Sequence, residues 1–324
     1  MQGLETNLQT TAEALHGENV TIGFDLDNAD FVLSFGAGLI EGWGSPVACF
    51  KANASRKERH AKLYQVEPRL SNTAASADKW IPIKPGTEAD LALGLCAIIL
   101  QNNLFDSTAT ARFKGGFNKL AAMVRTRYPV AEVEEITGVK ATEIEKLAAK
   151  FAKAKTAVAV VGKGKGDGAQ SLKEMAAVQL LNCMVGNINK KGGALVMPKA
   201  AYLDFGAISQ DDLAEKGAGK EKIGRYANQL FDQVNKNAKP VVEALFVYNA
   251  NPCYSLRGSQ SVKQAFGKIP FVVSFSSFLD ETAMQSDIIL PSHTFLERIE
   301  DVPSGAGLPK QVVGLTQPMV EPVF

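Results

Sequence analysis

The chain has 324 residues, of which 46% are hydrophobic and 21% charged, a composition typical of folded proteins and a length that suggests two domains. Its 35 Lys and Arg residues nearly balance its 34 Asp and Glu residues, so the net charge is +1. This balance excludes a chain-wide basic surface for nucleic acid and gives no electrostatic reason to bind anionic membranes, and the longest strongly apolar run, residues 91–100, is too short to span a bilayer.

Strands and helices alternate along residues 1–199, which predicts an α/β domain around a mostly parallel sheet. Short apolar runs predict strands at 30–35, 61–66, 80–83 and 157–161. A helix is predicted at 87–100, where Glu88 and Asp90 suit the helix dipole, and another after a capping-box pattern that begins at Thr142. The glycine-rich stretch 162–168 leads into a helix that ends near residue 185, and residues 186–193 form a loop.

The pattern weakens at 200–238 and then resumes, so we place a domain boundary at 199 and a second α/β domain at 200–324. Strands are predicted at 244–248, 271–275 and 287–290, and helical segments at 258–266 and 281–285. The tail from residue 302 is rich in Pro and Gly and shows no periodicity.

Cysteine and histidine usage limits the kinds of metal site that this segment can build. The four cysteines, at 49, 96, 183 and 253, form no CxxC pair, and the three histidines, at 16, 60 and 293, are widely spaced. We interpret the cysteines as small buried hydrophobic residues. We therefore expect no iron–sulfur cluster and no metal ligand from this segment.

The loops that follow the strands are the candidate sites, since open α/β sheets bind ligands outside the carboxyl ends of their strands. Glycines at 36, 38, 162, 164, 166 and 168 would let backbone N–H groups approach a phosphate, and Lys163 and Lys165 would add positive charge. A flexible glycine-rich turn explains the same residues equally well.

A nicotinamide-binding motif is the first alternative that the glycines raise. Residues 164–169 fit GxGxxA, but no acidic residue lies between Glu174 and Asp204 to hold a ribose. The loop after the first predicted strand lacks a third glycine, whereas Glu67 follows the second strand, where a ribose-binding acid belongs. The pattern indicates a nucleotide without the standard dinucleotide motif.

Three further side chains stand at strand ends or helix starts, and each has two interpretations. Asp90 could accept from the ring N–H and the amine of a guanine, or could simply suit the helix start. Arg69 could pair with a phosphate or close its loop, and His293 could line a cleft or be a structural histidine.

Several segments, in this order, resemble the molybdopterin oxidoreductases of the dimethyl-sulfoxide-reductase type. They are EPR at 67–69, KWIPIKPGTEADLAL at 79–93, GNINKKGG at 186–193, VYNANPCYS at 247–255 and ETAMQSDIILPSHTFLE at 281–297. The tail DVPSGAGLPKQVVGLTQPMVEP at 301–322 is similar to the polysulfide-reductase-like and menaquinone-reductase-like branch. The resemblance covers nearly the whole chain.

The resemblance implies a fold of two Rossmann-like α/β domains with mostly parallel sheets, of the formate dehydrogenase/dimethyl-sulfoxide reductase domains 1–3 type. This chain would be a central fragment, with the second domain represented by its second half. The implied cofactor is bis(molybdopterin guanine dinucleotide) carrying Mo or W. An iron–sulfur electron-transfer subunit and a membrane anchor subunit would be the partners, on the periplasmic side of the cytoplasmic membrane, although no signal segment opens this chain.

The resemblance also assigns roles to residues by position. Gly36 and Gly38 would lie near a pyrophosphate, Glu67 and Arg69 near a ribose and phosphate, and Asp90 on a guanine. The remaining cofactor-binding positions that it implies are Gly162, Gly164, Asn187, Asn251, Pro252, Ser274, Ser276, Asp280, Glu281 and His293.

Two departures leave alternatives open. The first strand loop has Gly38 where the family often has Asn, and residues 2–8 contain no cysteine or serine where a metal ligand is expected. The chain is thus either the cofactor-binding centre of a redox enzyme, or a metal-free homologue that serves as a scaffold. A plain nucleotide-binding module, such as a nicotinamide enzyme, is a third hypothesis. The sequence does not identify a substrate or catalytic residue.

Overall fold

The computed structural model describes residues 4–113, 116–162, 172–199, 209, 211–212, 215–216, 227–303, 305 and 307–322. The chain divides into two compact units, Met1–Ala201 with Pro303–Val312, and Tyr202–Val302 with Val313–Phe324. The sequence analysis places the boundary at 199 and does not predict that Pro303–Val312 packs with the first unit.

A four-stranded parallel sheet forms the centre of the first unit. The strands of this unit are β1 (Val20–Phe24), β2 (Phe31–Phe35), β3 (Lys62–Val66), β4 (Lys79–Ile81), β5 (Ala157–Val161) and β6 (Ala194–Pro198). In the sheet order β4-β3-β2-β5, the strand β2 is internal and β5 is an edge. Every residue of β2 and β5 is buried, as expected for apolar strands of a parallel sheet. The four predicted strands and the parallel arrangement are confirmed.

The helices of the first unit pack around this sheet. They are α1 (Leu4–His16), α2 (Pro46–Glu58), α3 (Asn72–Ser76), α4 (Glu88–Gln101), α5 (Ser107–Thr110), α6 (Phe117–Arg127), α7 (Val130–Thr137), α8 (Ala141–Lys153) and α9 (Leu172–Met184). Short 3₁₀ turns lie at Leu26–Asn28 and Ala111–Phe113. Helix α4 is apolar around its whole circumference and is buried because α6, α7, α8 and α9 all contact it.

The start of α8 differs from the predicted capping box. The helix begins one residue before Thr142, and its N-cap Lys140 makes no side-chain capping bond. Instead, the carboxylate of Glu134 in α7 accepts from the amide of Ala141 at 2.9 Å. A carboxylate from the preceding helix therefore takes the role that the local motif predicted.

Strands β1 and β6 form a separate antiparallel pair. The tail segment Pro303–Val312 belongs to the same unit and contacts β1. The amide of Phe24 donates to the carbonyl of Gly307 at 2.9 Å, and Gly23 lies against the backbone of Leu308. A Cβ on Gly23 would lie 2.1 Å from the carbonyl oxygen of Leu308, so the close approach needs glycine at this position.

The second unit contains a three-stranded parallel sheet in the order β7-β8-β9, which confirms the strands predicted there. Its elements are β7 (Ala244–Tyr248), β8 (Phe271–Ser276), β9 (Ile288–Pro291), a hairpin of β10 (Glu300–Pro303) and β11 (Val313–Thr316), α10 (Ala227–Lys236), α11 (Pro252–Ser255), α12 (Ser259–Phe266) and a 3₁₀ turn at Ala283–Gln285. Phe231 and Phe266 pack on one face of this sheet, whereas Phe246 and Tyr248 are exposed. Along the described residues, every helix is too short or insufficiently apolar to cross a membrane.

Candidate functional site

The carboxyl ends of β2 and β5 bring two of the predicted glycines side by side. Gly36 has a φ of +64°, and a Cβ at this position would lie 3.6 Å from the carbonyl oxygen of Gly162. Their amides are already engaged in the sheet ladder, since Gly36 donates to Val66 at 2.9 Å and Gly162 donates to Phe35 at 3.3 Å. These glycines therefore shape the strand ends, and their own N–H groups are used within the sheet.

Polar residues inside β2 and β3 hold the loop after β2 in place, and the sequence did not mark them as candidates. The carbonyl of Ala37 accepts from Ser34 Oγ and Gln65 Nε2, both at 3.2 Å, and both donors are fully buried. Gly38 is also buried, and its carbonyl accepts from the amides of Glu41 and Trp43. Each donor is a polar residue inside an otherwise largely apolar strand, and this feature of the sequence could have identified both.

Glu67 lies directly after β3 and is only 5% exposed. The Ser71 hydroxyl donates to its Oε1, and the Trp80 indole donates to its backbone carbonyl at 3.0 Å. Arg69, two residues further on, is exposed. The structure thus places a buried carboxylate at the strand end next to Gly36, whose amide bonds to the last residue of β3.

Asp90 lies in the first turn of α4 and forms an ion pair with Lys173 in the first turn of α9, with Nζ to Oδ1 at 3.0 Å. The hydrogen bond to Asp90 raises the pKa of Lys173, and the ring of Tyr128 lies 6.0 Å from its ammonium group. The pair holds the N-terminal ends of two packed helices together. Lys173 is a partner of Asp90 that the sequence did not reveal.

Asn187 is not brought together with Gly162. Its side-chain amide donates to the carbonyl of Ala157 at 2.7 Å, and Ala157 is the first residue of β5. Gly162 follows the last residue of the same strand, so Asn187 and Gly162 lie at opposite ends of β5. Gly164 lies outside the described residues.

In the second unit, the loops after β7 and β8 are joined through Asn251. Its Nδ2 donates to Glu281 Oε2 at 2.6 Å, and its Oδ1 accepts from the hydroxyl of Thr282 at 2.8 Å. Thr282 in turn accepts from the amide of Cys253, beside Pro252 at the start of α11. The hydrogen bond from Asn251 lowers the pKa of Glu281.

Asp280 and Ser276 shape the same strand end. One oxygen of Asp280 accepts from the amides of Thr282 and Ala283 at 3.0 and 2.8 Å, and the other lies 3.4 Å from the Ser276 hydroxyl. Ser274 lies inside β8 with a buried hydroxyl that no described group bonds. His293 follows β9 and is exposed.

The cysteines are buried or half-buried free thiols. Burial raises the pKa of Cys49 to about 11 and that of Cys183 to about 12, and it also raises the pKa of Cys96 and Cys253. Across the parts of the chain that the structure describes, no three His, Cys, Asp or Glu side chains come together as a metal site.

The candidate residues therefore form two groups at strand ends, one in each unit. In the first, the Glu67 carboxylate is held by one side-chain hydroxyl, and the Asp90 carboxylate is paired with one ammonium group. A carboxylate can accept at both oxygens, so each can take a further donor such as a ribose hydroxyl or a guanine N–H.

Comparisons with known proteins extend this description. The model of the molybdopterin oxidoreductase family matches residues 3–324. The chain is 34% identical over 319 residues to a menaquinone reductase, molybdopterin-binding-like subunit, from Nitratidesulfovibrio vulgaris, covering 96% of this chain and 43% of that protein. It is 25% identical over 326 residues to a thiosulfate reductase molybdopterin-containing subunit from Salmonella typhimurium, covering 93% and 42%.

The fold is similar to that of acetylene hydratase from Pelobacter acetylenicus, with a TM-score of 0.78 at 23% sequence identity, over 98% of this chain and 48% of that one. The chain thus spans less than half the length of these relatives. The family match over almost every residue agrees with the parallel sheets and their strand-end loops. This chain belongs to the molybdopterin oxidoreductase family.

Proposed function

We propose that this chain is the central cofactor-binding part of an oxidoreductase that holds bis(molybdopterin guanine dinucleotide) in a respiratory electron-transfer complex. The observation that carries the proposal is the set of carboxylates at the strand ends of the first unit. Glu67 is buried beside Gly36, and Asp90 stands in the first turn of the helix that follows β4. A purine nucleotide presents hydroxyl and N–H donors that match two such acceptors.

The described residues fit the nucleotide portion of this group. Glu67 would accept from a ribose hydroxyl, and Asp90 would accept from the ring N–H and amine of guanine. In the second unit, Asn251, Asp280 and Glu281 would line the corresponding loops. The hydrogen bond from Asn251 to Glu281, and that from the Thr282 amide to Asp280, hold these side chains in place before a ligand arrives.

When bound, the molybdenum or tungsten of the cofactor supplies electron transfer by cycling between oxidation states. The chain's own part is to bind and orient the nucleotide ends. Its four cysteines are buried or half-buried, and among the described residues none belongs to a cluster of three His, Cys, Asp or Glu side chains. We therefore assign no metal ligand within the described residues.

Titration of the 324-residue chain with GDP tests the proposal at Asp90. Asp90→Asn removes the carboxylate and should weaken GDP binding about tenfold or more, because hydrogen bonds to a charged acceptor are lost. Lys173→Met is the matched control, since it breaks the same ion pair but keeps the carboxylate. We expect this variant to keep the affinity of the unmodified chain.

Two outcomes would contradict the proposal. Equal loss of GDP affinity in both variants would mean that the pair only holds α4 to α9. Tight binding of NADH with no binding of GDP or GMP would favour the nicotinamide alternative instead.

A metal-free homologue that keeps this fold as a scaffold is the second candidate, and its motivation is that residues 2–8 contain no cysteine or serine where a metal ligand is expected. Metal analysis of the full-length protein separates the two. About one molybdenum or tungsten atom per chain would reject the scaffold, whereas guanine dinucleotide without metal would support it.

We also propose a location on the periplasmic side of the cytoplasmic membrane, with an iron–sulfur electron-transfer subunit and a membrane anchor subunit as partners. The support is the similarity to subunits of a menaquinone reductase and a thiosulfate reductase. Co-purification of these subunits with the tagged full-length protein, and its digestion by protease added to spheroplasts, are the expected results. Recovery as a single soluble polypeptide inside intact spheroplasts would contradict the proposal.

A further inference from the structure

A groove of about 230 Å³ runs between helix α8 and the strands β3 and β4 of the first unit. Its lining residues are Tyr64, Lys79, Ile81, Lys140, Thr142, Glu143, Lys146, Leu147 and Lys150. None of them belongs to the strand-end site, which uses Glu67 and Asp90. The groove is therefore a separate feature of this unit.

The groove combines an apolar floor with a strongly basic rim. Ile81 and Leu147 are 1% and 2% exposed, so they form a closed base. Four of the nine lining residues are lysines and only one is acidic. The net charge of the lining is therefore +3, in a chain whose total net charge is +1.

Only one of these lysines is paired with a carboxylate among the described residues. Lys79 Nζ lies 2.5 Å from Glu143 Oε1. Lys150 instead donates to the hydroxyl of Tyr64 at 2.8 Å, and its ammonium group lies 5.3 Å from the centre of that ring. These two contacts hold Lys150 over the groove.

The remaining positive charges repel one another. Lys146 and Lys150 are four residues apart on α8, and like charges at this spacing destabilise a helix. Lys140 adds a third charge at the N-cap of α8, where the helix dipole is also positive. An anion between Lys146 and Lys150 would reduce their mutual repulsion.

We propose that this groove binds the phosphate group of a small organic molecule. Lysine ammonium groups are suited to phosphate, and the apolar floor is suited to the organic part of such a ligand. The limited volume favours a small molecule over a folded partner. This site goes beyond the proposed cofactor function and does not depend on it.

Isothermal titration of the 324-residue chain with inorganic pyrophosphate, at constant ionic strength, tests the proposal. We expect saturable binding at this groove, and the double substitution Lys146→Gln/Lys150→Gln should weaken it about tenfold, because two charged donors are lost. The matched control is Lys51→Gln/Lys119→Gln, which removes two exposed lysines from α2 and α6 outside the groove. This control should bind as tightly as the unmodified chain.

A third variant distinguishes binding of pyrophosphate in the groove from a general attraction of anions to the surface lysines. Glu143→Gln removes the only acidic group of the lining and should tighten pyrophosphate binding. The absence of saturable binding, or equal weakening in the groove and control variants, would overturn the proposal. Circular dichroism on each variant checks that α8 remains folded.

Discussion

Ser34 and Gln65 are paired in register across β2 and β3, and both donate to the single carbonyl of Ala37. A carbonyl oxygen has two lone pairs, so it can accept both bonds. Both donors are fully buried, which makes these bonds stronger than similar bonds at the surface. The two strands therefore fix the first residues of the loop that leads from β2 toward the proposed nucleotide site.

Combined substitution of these donors should cost more than the sum of the single substitutions. Gln65→Met removes one bond but also removes a buried Oε1 that no described group bonds, so we expect a change below about 1 kcal/mol. Ser34→Ala should cost about 1 kcal/mol. The double variant leaves the Ala37 carbonyl with neither donor and should show a coupling of about 1 kcal/mol in urea unfolding. Simple additivity would contradict this prediction.

Asn182 bonds to the edge strand β5 of the main sheet. Its Oδ1 accepts from the amide of Ala159 at 2.7 Å and its Nδ2 donates to the carbonyl of Ala159 at 2.8 Å, so a fully buried side chain bonds both backbone groups of one residue in β5. Asn182→Leu should lower the free energy of unfolding by about 2–4 kcal/mol, because two buried backbone groups lose their partners. Urea unfolding measures the loss. A loss below about 1 kcal/mol would mean that water replaces the amide.

Gly23→Ala should release the tail segment from the first unit. The new Cβ would meet the backbone of Leu308 at 2.1 Å, and backbone atoms cannot move aside as a flexible side chain can. We expect faster proteolysis within residues 303–312 and a loss of roughly 2 kcal/mol in stability. Gly314→Ala is the control, because its Cβ would meet only one carbonyl at 3.8 Å. Equal proteolysis in the two variants would contradict the predicted clash.

Asp78 should make the stability of the first unit depend on acid pH. Partial burial raises its pKa, but hydrogen bonds from the Leu63 amide and from Lys62, with the charge of Arg56, outweigh this effect and hold the pKa below its usual range. The carboxylate thus stabilises the fold above about pH 3.9, the ordinary pKa of Asp, and this contribution disappears as the pH falls through the lowered value.

Asp78→Asn should therefore lower the free energy of unfolding at pH 7 and flatten its dependence on pH below about 4. The buried Arg56 guanidinium, 2.6 Å from Asp78, would lose its carboxylate partner. Lys62→Met removes only the exposed partner and should change stability by less than about 1 kcal/mol. Urea unfolding at several pH values checks both. If the free energy of unfolding of Asp78→Asn falls below pH 4 as steeply as that of the unmodified chain, Asp78 is not the source of this pH dependence.

Continuous apolar runs made the parallel strands predictable, because strands buried on both faces lack alternation and have a short, recognisable length. Residues 157–161 predicted β5, and all five are buried. The pair β1 and β6 was not predicted, since its antiparallel register joins residues that are 170 to 178 positions apart. Such pairing leaves no local signal.

The candidate site was predictable at the level of strand ends but not of individual bonds. Glu67 was selected because it follows a strand, and it is indeed a buried strand-end carboxylate. Lys173 and Thr282 escaped notice because their importance comes from partners 83 and 31 residues away, Asp90 and Asn251. Asn187 was assigned to the site by resemblance alone. Its side chain bonds to the first residue of β5, whereas Gly162 follows the last residue of that strand.

The return of Pro303–Val312 to the first unit means that the chain passes between the two units three times. A single cut near residue 201 would therefore not yield two self-sufficient pieces. The N-terminal piece would lose the segment whose Gly307 lies against the ring of Trp43 and would expose that ring. For the same reason, replacing the second unit by a simple end-to-end fusion would remove a piece of the first unit as well.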